Sequence, residues 1–406
     1  MTGELTTGQV AAYLGVKTQT VYAYVSRGVL TPVRKEPGTG SLFRVEDVQA
    51  LVGAHSAGRR RRPAASEDVR TTITEVTGGN LAYRGVPIAD LVPTEGFERV
   101  RELLTGDSGT SGVPTEGERE ALAALMRALP VGTTPLDRFK HAVLIAGAAD
   151  PGRHDRRAEA LARAGRRTAY LMALSLPGAT LPTADTPRLA DVLATSLAPC
   201  PASLLDVALV LLADHDLAVS TTAVRVAVSS GADPYSALVA GLAAADSPHH
   251  MAASLQALDW LAGALRSPQQ ALDAALVGTT PPPGFGHLVY TEQDPRAQLL
   301  LDQLRGDLSE QQWETVLFLK EELLARRGWV LNVDLALALL VRRHRLPRHA
   351  GPVIFACART AGWTAHAIEE LTEPAMRFRL RGIYSGDRRS RPGSARLKGR
   401  GATMVQ

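Results

Sequence analysis

The chain has 406 residues, of which 45% are apolar, and its 45 Lys/Arg outnumber 41 Asp/Glu for a net charge of +4. That is long enough for two or three domains with a sizeable core, and the composition is that of an ordinary globular protein. No apolar run reaches the ~18 residues that span a bilayer, Met1-Thr2-Gly3-Glu4 begins no signal peptide, and Cys200 and Cys357 lack metal-ligand spacing, so the expectation is a cytoplasmic protein with two buried, reduced thiols, no membrane partner and no metal.

Alanine and leucine dominate and aromatics are few, which favours helix over sheet. Charge is unevenly spread. Residues 1–63 carry nine Lys/Arg against four Asp/Glu, and residues 377–406 carry nine against one, so two basic ends flank an acidic body. Basic ends can meet phosphates or serve as solvated tails.

Residues 1–58 read as a small separate domain. Thr6 to Gly15 predicts a short helix that starts at a Thr cap and stops at Gly. Lys17 to Gly28 predicts a second helix, with Val10, Leu14, Val21 and Val25 as the apolar seam between the two. Pro37-Gly38-Thr39-Gly40 sits between Val33-Arg34-Lys35 and Ser41-Leu42-Phe43-Arg44 as a hairpin would, and Val45–Val52 predicts a third helix. The stretch resembles the excisionase and MerR-type winged helix-turn-helix module. That resemblance implies a second helix in the DNA major groove, with Lys17, Thr18, Gln19, Thr20, Tyr22 and Arg27 on its reading face. A helical hairpin used only for assembly is the competing reading. Residues 59–70, with Arg59-Arg60-Arg61-Arg62, read as a basic linker.

From Thr71 the body begins. Thr71–Val76 alternates and predicts a short strand before the Gly78-Gly79 turn. Helical patterns follow over Phe97–Leu104, Glu118–Leu129, Leu136–Ala149 and Arg157–Leu176. Leu204–Asp214 is a long apolar run interrupted only by Asp206 and followed by His215. Such a run delivers a histidine to a cleft, or is a core helix with a satisfied His. Gly284-Phe285-Gly286-His287 then precedes Asp294-Pro295-Arg296. Two glycines let backbone pass close to a ligand, and one imidazole with one guanidinium suits the ketone and carboxylate of a small oxo-acid. A surface turn with an exposed His and Arg would read the same way. His250, Asp334 and Arg359 lie in further stretches of this character.

Together these stretches resemble the citrate synthase family from about Thr71 to Asp387. Gly79-Asn80-Leu81-Ala82-Tyr83-Arg84-Gly85 is similar to that family's opening segment, Asp214-His215-Asp216-Leu217-Ala218-Val219-Ser220-Thr221 to its D-H-E-x-N-A-S-T, and Arg379-Leu380-Arg381-Gly382-Ile383-Tyr384-Ser385-Gly386 to its R-P-R-x-x-Y-x-G tail. The resemblance implies a mainly α protein: a two-domain, all-α citrate-synthase-like body behind a winged helix-turn-helix. Residues 71–250 and 365–387 would form the large domain, residues 251–364 the small one, and residues 388–406 a disordered basic tail.

It also implies a homodimer that condenses acetyl-CoA (or propionyl-CoA) with oxaloacetate and holds no tightly bound cofactor. Asp334 would be the base, His250 would hydrogen-bond the enol, and His287 would polarise the ketone. His215, Arg296, Arg359 and, in the partner's site, Arg379 would hold the oxaloacetate. An apolar setting, Leu335-Ala336-Leu337, would raise the pKa of Asp334. The coenzyme side departs from the pattern. Met251 and Ala252 stand for two glycines, Leu288 for Arg and Thr291 for Lys, while Ala218 replaces an Asn. A catalytically impaired oxo-acid sensor coupled to DNA is the alternative.

Overall fold

The computed structural model describes residues 4–14, 16–36, 40–45, 47–48, 69–109, 112–184 and 186–379. Two compact units divide the chain, one of residues 1–70 with 379–406 and the other running Thr71–Phe378. Seventeen helices lie among the described residues, and none is long and apolar enough to cross a membrane.

In the first unit, β1 (Glu4–Thr6), β2 (Arg34–Glu36) and β3 (Gly40–Arg44) form one antiparallel sheet in the order β1-β3-β2. Helices α1 (Thr7–Leu14) and α2 (Thr18–Ser26) pack beside it. Thr6 starts α1 through a capping box: its backbone N–H donates to Gln9 Oε1 (2.7 Å) while its hydroxyl accepts from Gln9 N–H (3.3 Å). Val10, Val21, Leu30 and Phe43 are buried together, with Leu14 and Val25 packed against them. The predicted seam is therefore real, and the wing is the β2–β3 hairpin, whose turn lies outside the described residues. So does most of the predicted third helix, together with nearly all of the basic linker and the tail beyond Arg379. Strand β1, too short for a periodicity signal, was not expected. Lys17, Thr18, Gln19, Tyr22 and Arg27 are exposed, and Thr20 is half-buried.

The second unit opens on an antiparallel sheet of β4 (Thr74–Thr77), β5 (Asn80–Tyr83) and β6 (Val86–Pro87). Thr77 pairs with Asn80 across Gly78 (φ +59°) and Gly79 (φ +79°), the two-residue turn that glycine permits. Helices follow: α3 (Ile88–Thr94), α4 (Phe97–Thr105), α5 (Glu116–Ala128), α6 (Pro135–Ala148), α7 (Ala158–Leu174), α8 (Leu189–Ser196), α9 (Ala202–Leu212), α10 (Val219–Ser229), α11 (Pro234–Ala245), α12 (Ala253–Ala264), α13 (Pro268–Val277), α14 (Pro295–Leu304), α15 (Glu310–Arg327), α16 (Val333–Arg343) and α17 (Ala350–Glu370).

Helix α17 is the axis of this unit. Nearly all of its 21 residues are buried, because α4, α7, α9, α10 and α11 pack around it. Small residues allow close approach. A Cβ on Gly362 would fall 2.6 Å from the Ala213 carbonyl, and one on Gly241 would fall 3.2 Å from the Trp363 ring. Helix α9 is buried for the same reason, and the Asp206 that interrupts it accepts from the Phe97 N–H (3.2 Å), closing the start of α4. Helix α16 packs against α12 and α14.

Candidate active site

Three chain segments meet where the chemistry-bearing side chains gather. The first is the end of α9, where Asp214 is buried and His215 follows, half-buried. The second is the loop Gly284–Thr291. The third is the junction of Asn332 with α16.

Glycine geometry shapes that loop. Gly284 (φ +87°) lies so close to α16 that a Cβ would fall 2.8 Å from Leu335, and one on Gly286 (φ +81°) would fall 2.6 Å from Pro281. Main-chain bonds then tie the loop to the start of α16: Asn332 N–H donates to the Gly284 carbonyl (3.0 Å) and Gly286 N–H to the Val330 carbonyl (2.7 Å). Asn332 caps α16 by accepting from Asp334 N–H (3.0 Å), and its amide donates to the Gly286 carbonyl (2.9 Å). His287 and Asp334 are thus held by one continuous hydrogen-bonded junction.

Asp294 does a second joining job. It caps α14 by accepting from Arg296 N–H (3.1 Å) and also accepts from Val333 N–H of α16 (3.1 Å). The Arg296 guanidinium lies bidentate on the same carboxylate, at 3.0 and 2.8 Å. Both residues are buried. Burial alone would lower the Arg296 pKa; the Asp294 carboxylate outweighs it and keeps the guanidinium charged.

The histidines come together here. The rings of His215 and His287 are 5.3 Å apart, edge to face. Tyr290, buried, sits against both: its hydroxyl is 3.0 Å from His215 Nε2 and its ring centroid 4.6 Å from that of His287. The His287 tautomer follows from its neighbours. Nδ1 accepts from the N–H groups of Val289 (3.0 Å) and Tyr290 (3.2 Å), so the proton of the neutral ring is on Nε2. Arg296 brings a terminal nitrogen to 3.3 Å from that Nε2. Two donors therefore converge, as around an acceptor that both could share.

His250 stands after α11, its Nε2 2.9 Å from Ser220 Oγ, which in turn accepts from Trp363 Nε1–H (3.3 Å). All three histidines are held neutral at pH 7. Burial, then the charges of Arg296 and Arg359, holds the His215 imidazole well below the usual range. Burial and then Arg359 push His250 down to about 4. Burial and then Arg296 do the same for His287, against a smaller opposing effect of Asp294. Burial pushes the Asp334 carboxyl up to about 7, with Arg296 opposing and Asp294 reinforcing.

Arg359 of α17 is buried, with Nε donating to the Leu212 carbonyl (2.9 Å) and the guanidinium over the Phe355 ring at 4.5 Å. Both of its terminal nitrogens are buried with no hydrogen-bond partner among the described residues. Burial pushes its pKa down to about 10. An orphaned pair of N–H groups on a buried cation costs several kcal/mol, roughly, unless an anion meets it.

The structure thus sets His215, His287 and Asp334 within the electrostatic reach of Arg296, and His215 and His250 within that of Arg359. Arg379 is exposed, just past the end of the second unit. Three participants were not assigned a part from sequence: Tyr290, Ser220 and Asp294. Only Asp294 left a signal, as the Asp-Pro that opens a helix. Of the residues expected on the coenzyme side, Met251 is buried, while Leu288 is fully exposed and Thr291 exposed.

Comparisons with known proteins bear on the family and the fold. The family described as citrate synthase, C-terminal domain, matches residues 66–381, and a helix-turn-helix domain family matches residues 4–56. A citrate synthase of Synechocystis is 28% identical over 361 residues, covering 80% of this chain and 89% of that protein. A citrate synthase of Dictyostelium discoideum is 33% identical over 196 residues, covering 45% of this chain and 38% of that protein. Among solved structures, the citrate synthase of Thermotoga maritima superposes with a TM-score of 0.67 at 25% identity, covering 80% of this chain and 95% of that one. The Thermoplasma acidophilum citrate synthase, in a ternary complex with carboxymethyl coenzyme A and oxaloacetate, has the same TM-score and coverage at 23% identity.

Proposed function

The chain belongs to the citrate synthase family, and from that premise we propose that it condenses acetyl-CoA with oxaloacetate, giving citrate and CoA. The observation that carries this reading is the Arg359 guanidinium, buried with both terminal nitrogens unpartnered beside His215 and His250. A carboxylate of oxaloacetate would satisfy it in the bidentate manner guanidinium favours. Arg296 and His287 Nε2–H, which converge at 3.3 Å, would share the ketone oxygen or a second carboxylate.

The remaining steps follow from the same groups. Asp334 takes a proton from the acetyl methyl, and a pKa near 7 makes it a stronger base than an ordinary carboxylate. Because Ser220 accepts from Trp363, its own proton can go to His250 Nε2, leaving His250 Nδ1–H to donate to the enol oxygen. The enol carbon attacks the ketone carbon, which a neutral His287 polarises. Water then cleaves the thioester, releasing CoA. Residues 251–364 act as a small domain closing over the substrates, which keeps water out until that step. The protein works as a cytoplasmic homodimer in which Arg379 reaches the partner's site. Exposed Leu144 of α6 and Val219 and Val226 of α10 are apolar surface such a contact would cover. Thiol release from acetyl-CoA and propionyl-CoA with oxaloacetate tests the reading; no release from either, at any pH from 6 to 9, would end it.

A second reading has its own support. Leu288 and Thr291 leave the coenzyme side without two cations, and the helix-turn-helix exposes Lys17, Gln19, Tyr22 and Arg27. In this reading the body senses an oxo-acid and the first unit binds DNA at paired half-sites. Oxaloacetate must then change DNA affinity, and DNA must change oxaloacetate affinity by the same factor. Anisotropy titrations with and without oxaloacetate decide it. DNA selection without coupling leaves two unlinked functions, and no selection leaves an assembly module.

A further inference from the structure

Behind the candidate site runs a string of buried polar groups that the reaction above does not use. Asp214 Oδ2 accepts from Thr74 Oγ1 and lies 3.1 Å from His366 Nε2. His366, fully buried in α17, has its Nδ1 within 3.0 Å of Arg225 Nε and 2.8 Å of Arg225 Nη2. Arg225, fully buried in α10, continues to Glu370 Oε2 (2.9 Å) and to Glu369. Glu370 is shared with Arg377.

The protonation of His366 is fixed by its donors. A guanidinium has no acceptor, so Nδ1 carries no proton. The ring is neutral and gives its single N–H, on Nε2, to Asp214. Asp214 is in turn an ionised, fully buried carboxylate. Burial acts against that charge, but His366, Arg359 and Thr74 outweigh it and hold the carboxyl below the usual range. A buried ionic string of this kind is a poor source of stability compared with apolar packing, and is best explained by a geometry it imposes.

That geometry is the seam between α9 and α17. Gly362 N–H donates to the Ala213 carbonyl (3.0 Å) and Arg359 Nε to the Leu212 carbonyl (2.9 Å). A Cβ on Gly362 would meet Asp214 Oδ1, so helix and carboxylate touch directly. His215 is the next residue after Asp214, and Arg359 lies two turns before His366. We infer that His366 is a positioning residue: its neutral Nε2–H anchors Asp214, and Asp214 sets both the direction in which His215 enters the site and the counter-charge for Arg359. The inference rests on the oxo-acid reading above.

Calorimetric titration of oxaloacetate into the full-length protein and three variants tests it. In His366→Asn the side-chain oxygen keeps the acceptor for Arg225 but removes the donor to Asp214. Its Kd should rise about tenfold, the effect of one hydrogen bond to a charged group. In His366→Gln the longer amide can place an N–H near the Nε2 position, so much of the affinity should return. Thr74→Val removes the other donor to Asp214 at nearly constant volume and should weaken binding in the same direction by about threefold; it keeps the test open if His366→Asn does not fold. Turnover at saturating oxaloacetate and KM for the acyl donor should be unchanged. Unaltered Kd in His366→Asn and Thr74→Val, or equal loss in Asn and Gln with Thr74→Val silent, overturns the inference alone. Absence of oxaloacetate binding in the parent overturns it together with the oxo-acid reading.

Discussion

Two neighbouring faces of the loop after His287 are built differently. His287 and Tyr290 turn inward, packed ring to ring at 4.6 Å, with the Tyr290 hydroxyl 3.0 Å from His215 Nε2 and an Arg296 nitrogen 3.3 Å from His287 Nε2. Leu288 and Thr291 turn outward, the first fully exposed, and neither is a cation. The inward face is over-determined, since each functional side chain is held by at least one group that does no chemistry. The outward face is determined by nothing in the described structure. Affinity for the oxo-acid should therefore survive surface changes, while affinity for the coenzyme should be set by them.

The largest expected effect is at the base. Asp334→Asn should lower condensation by roughly the 10²–10⁴ of a lost general base. The same change should raise thermal stability above pH 7 and leave it unchanged near pH 4. The sign follows from the pKa: a carboxyl at about 7 in the folded chain and near 3.8 unfolded loses folding stability as pH climbs through that window. Thiol release and melts at two pH values check both halves, and a variant as active as the parent would remove Asp334 from the mechanism.

Next is Arg359→Met. Oxaloacetate binding should weaken by about 10²-fold or more, since charge-assisted bonds to a buried carboxylate are lost. A variant that binds normally would contradict the carboxylate assignment.

The pH profile comes third. With His250 and His287 neutral down to about 4, they impose no change near neutrality. Log kcat/KM should therefore rise with slope one up to about pH 7, as Asp334 ionises, and then level. A profile already flat from pH 5 would place the base elsewhere. The smallest effect concerns the outward face. Leu288→Arg with Thr291→Lys should tighten CoA binding several-fold, more at low salt, without altering oxaloacetate binding. If CoA affinity does not move, the outward face does not set it.

The sequence showed the inward face in part, for physical reasons. Helix α9 is apolar on nearly every side but for Asp206, so its burial was readable without knowing what covers it. Gly284 and Gly286 were readable because only glycine tolerates both a positive φ and contact with Leu335 or Pro281. His287 and Arg296 were read from their glycine-flanked stretch, and the roles of the other candidate residues came through family resemblance. Tyr290, Ser220 and the His366–Arg225 pair were not given roles. A hydroxyl or imidazole becomes a partner only when distant segments meet, and His215 and Tyr290 are 75 positions apart. Strand β1 is three residues long, below what alternation can reveal.

On the proposed function, the body holds a complete oxo-acid site whatever the state of its coenzyme side. Calorimetry of oxaloacetate against the protein alone tests that most directly. Saturable binding of one oxaloacetate per chain, lost in Arg359→Met and indifferent to Leu288→Arg with Thr291→Lys, is the predicted result. No heat up to millimolar oxaloacetate, or binding that Arg359→Met leaves intact, would contradict it.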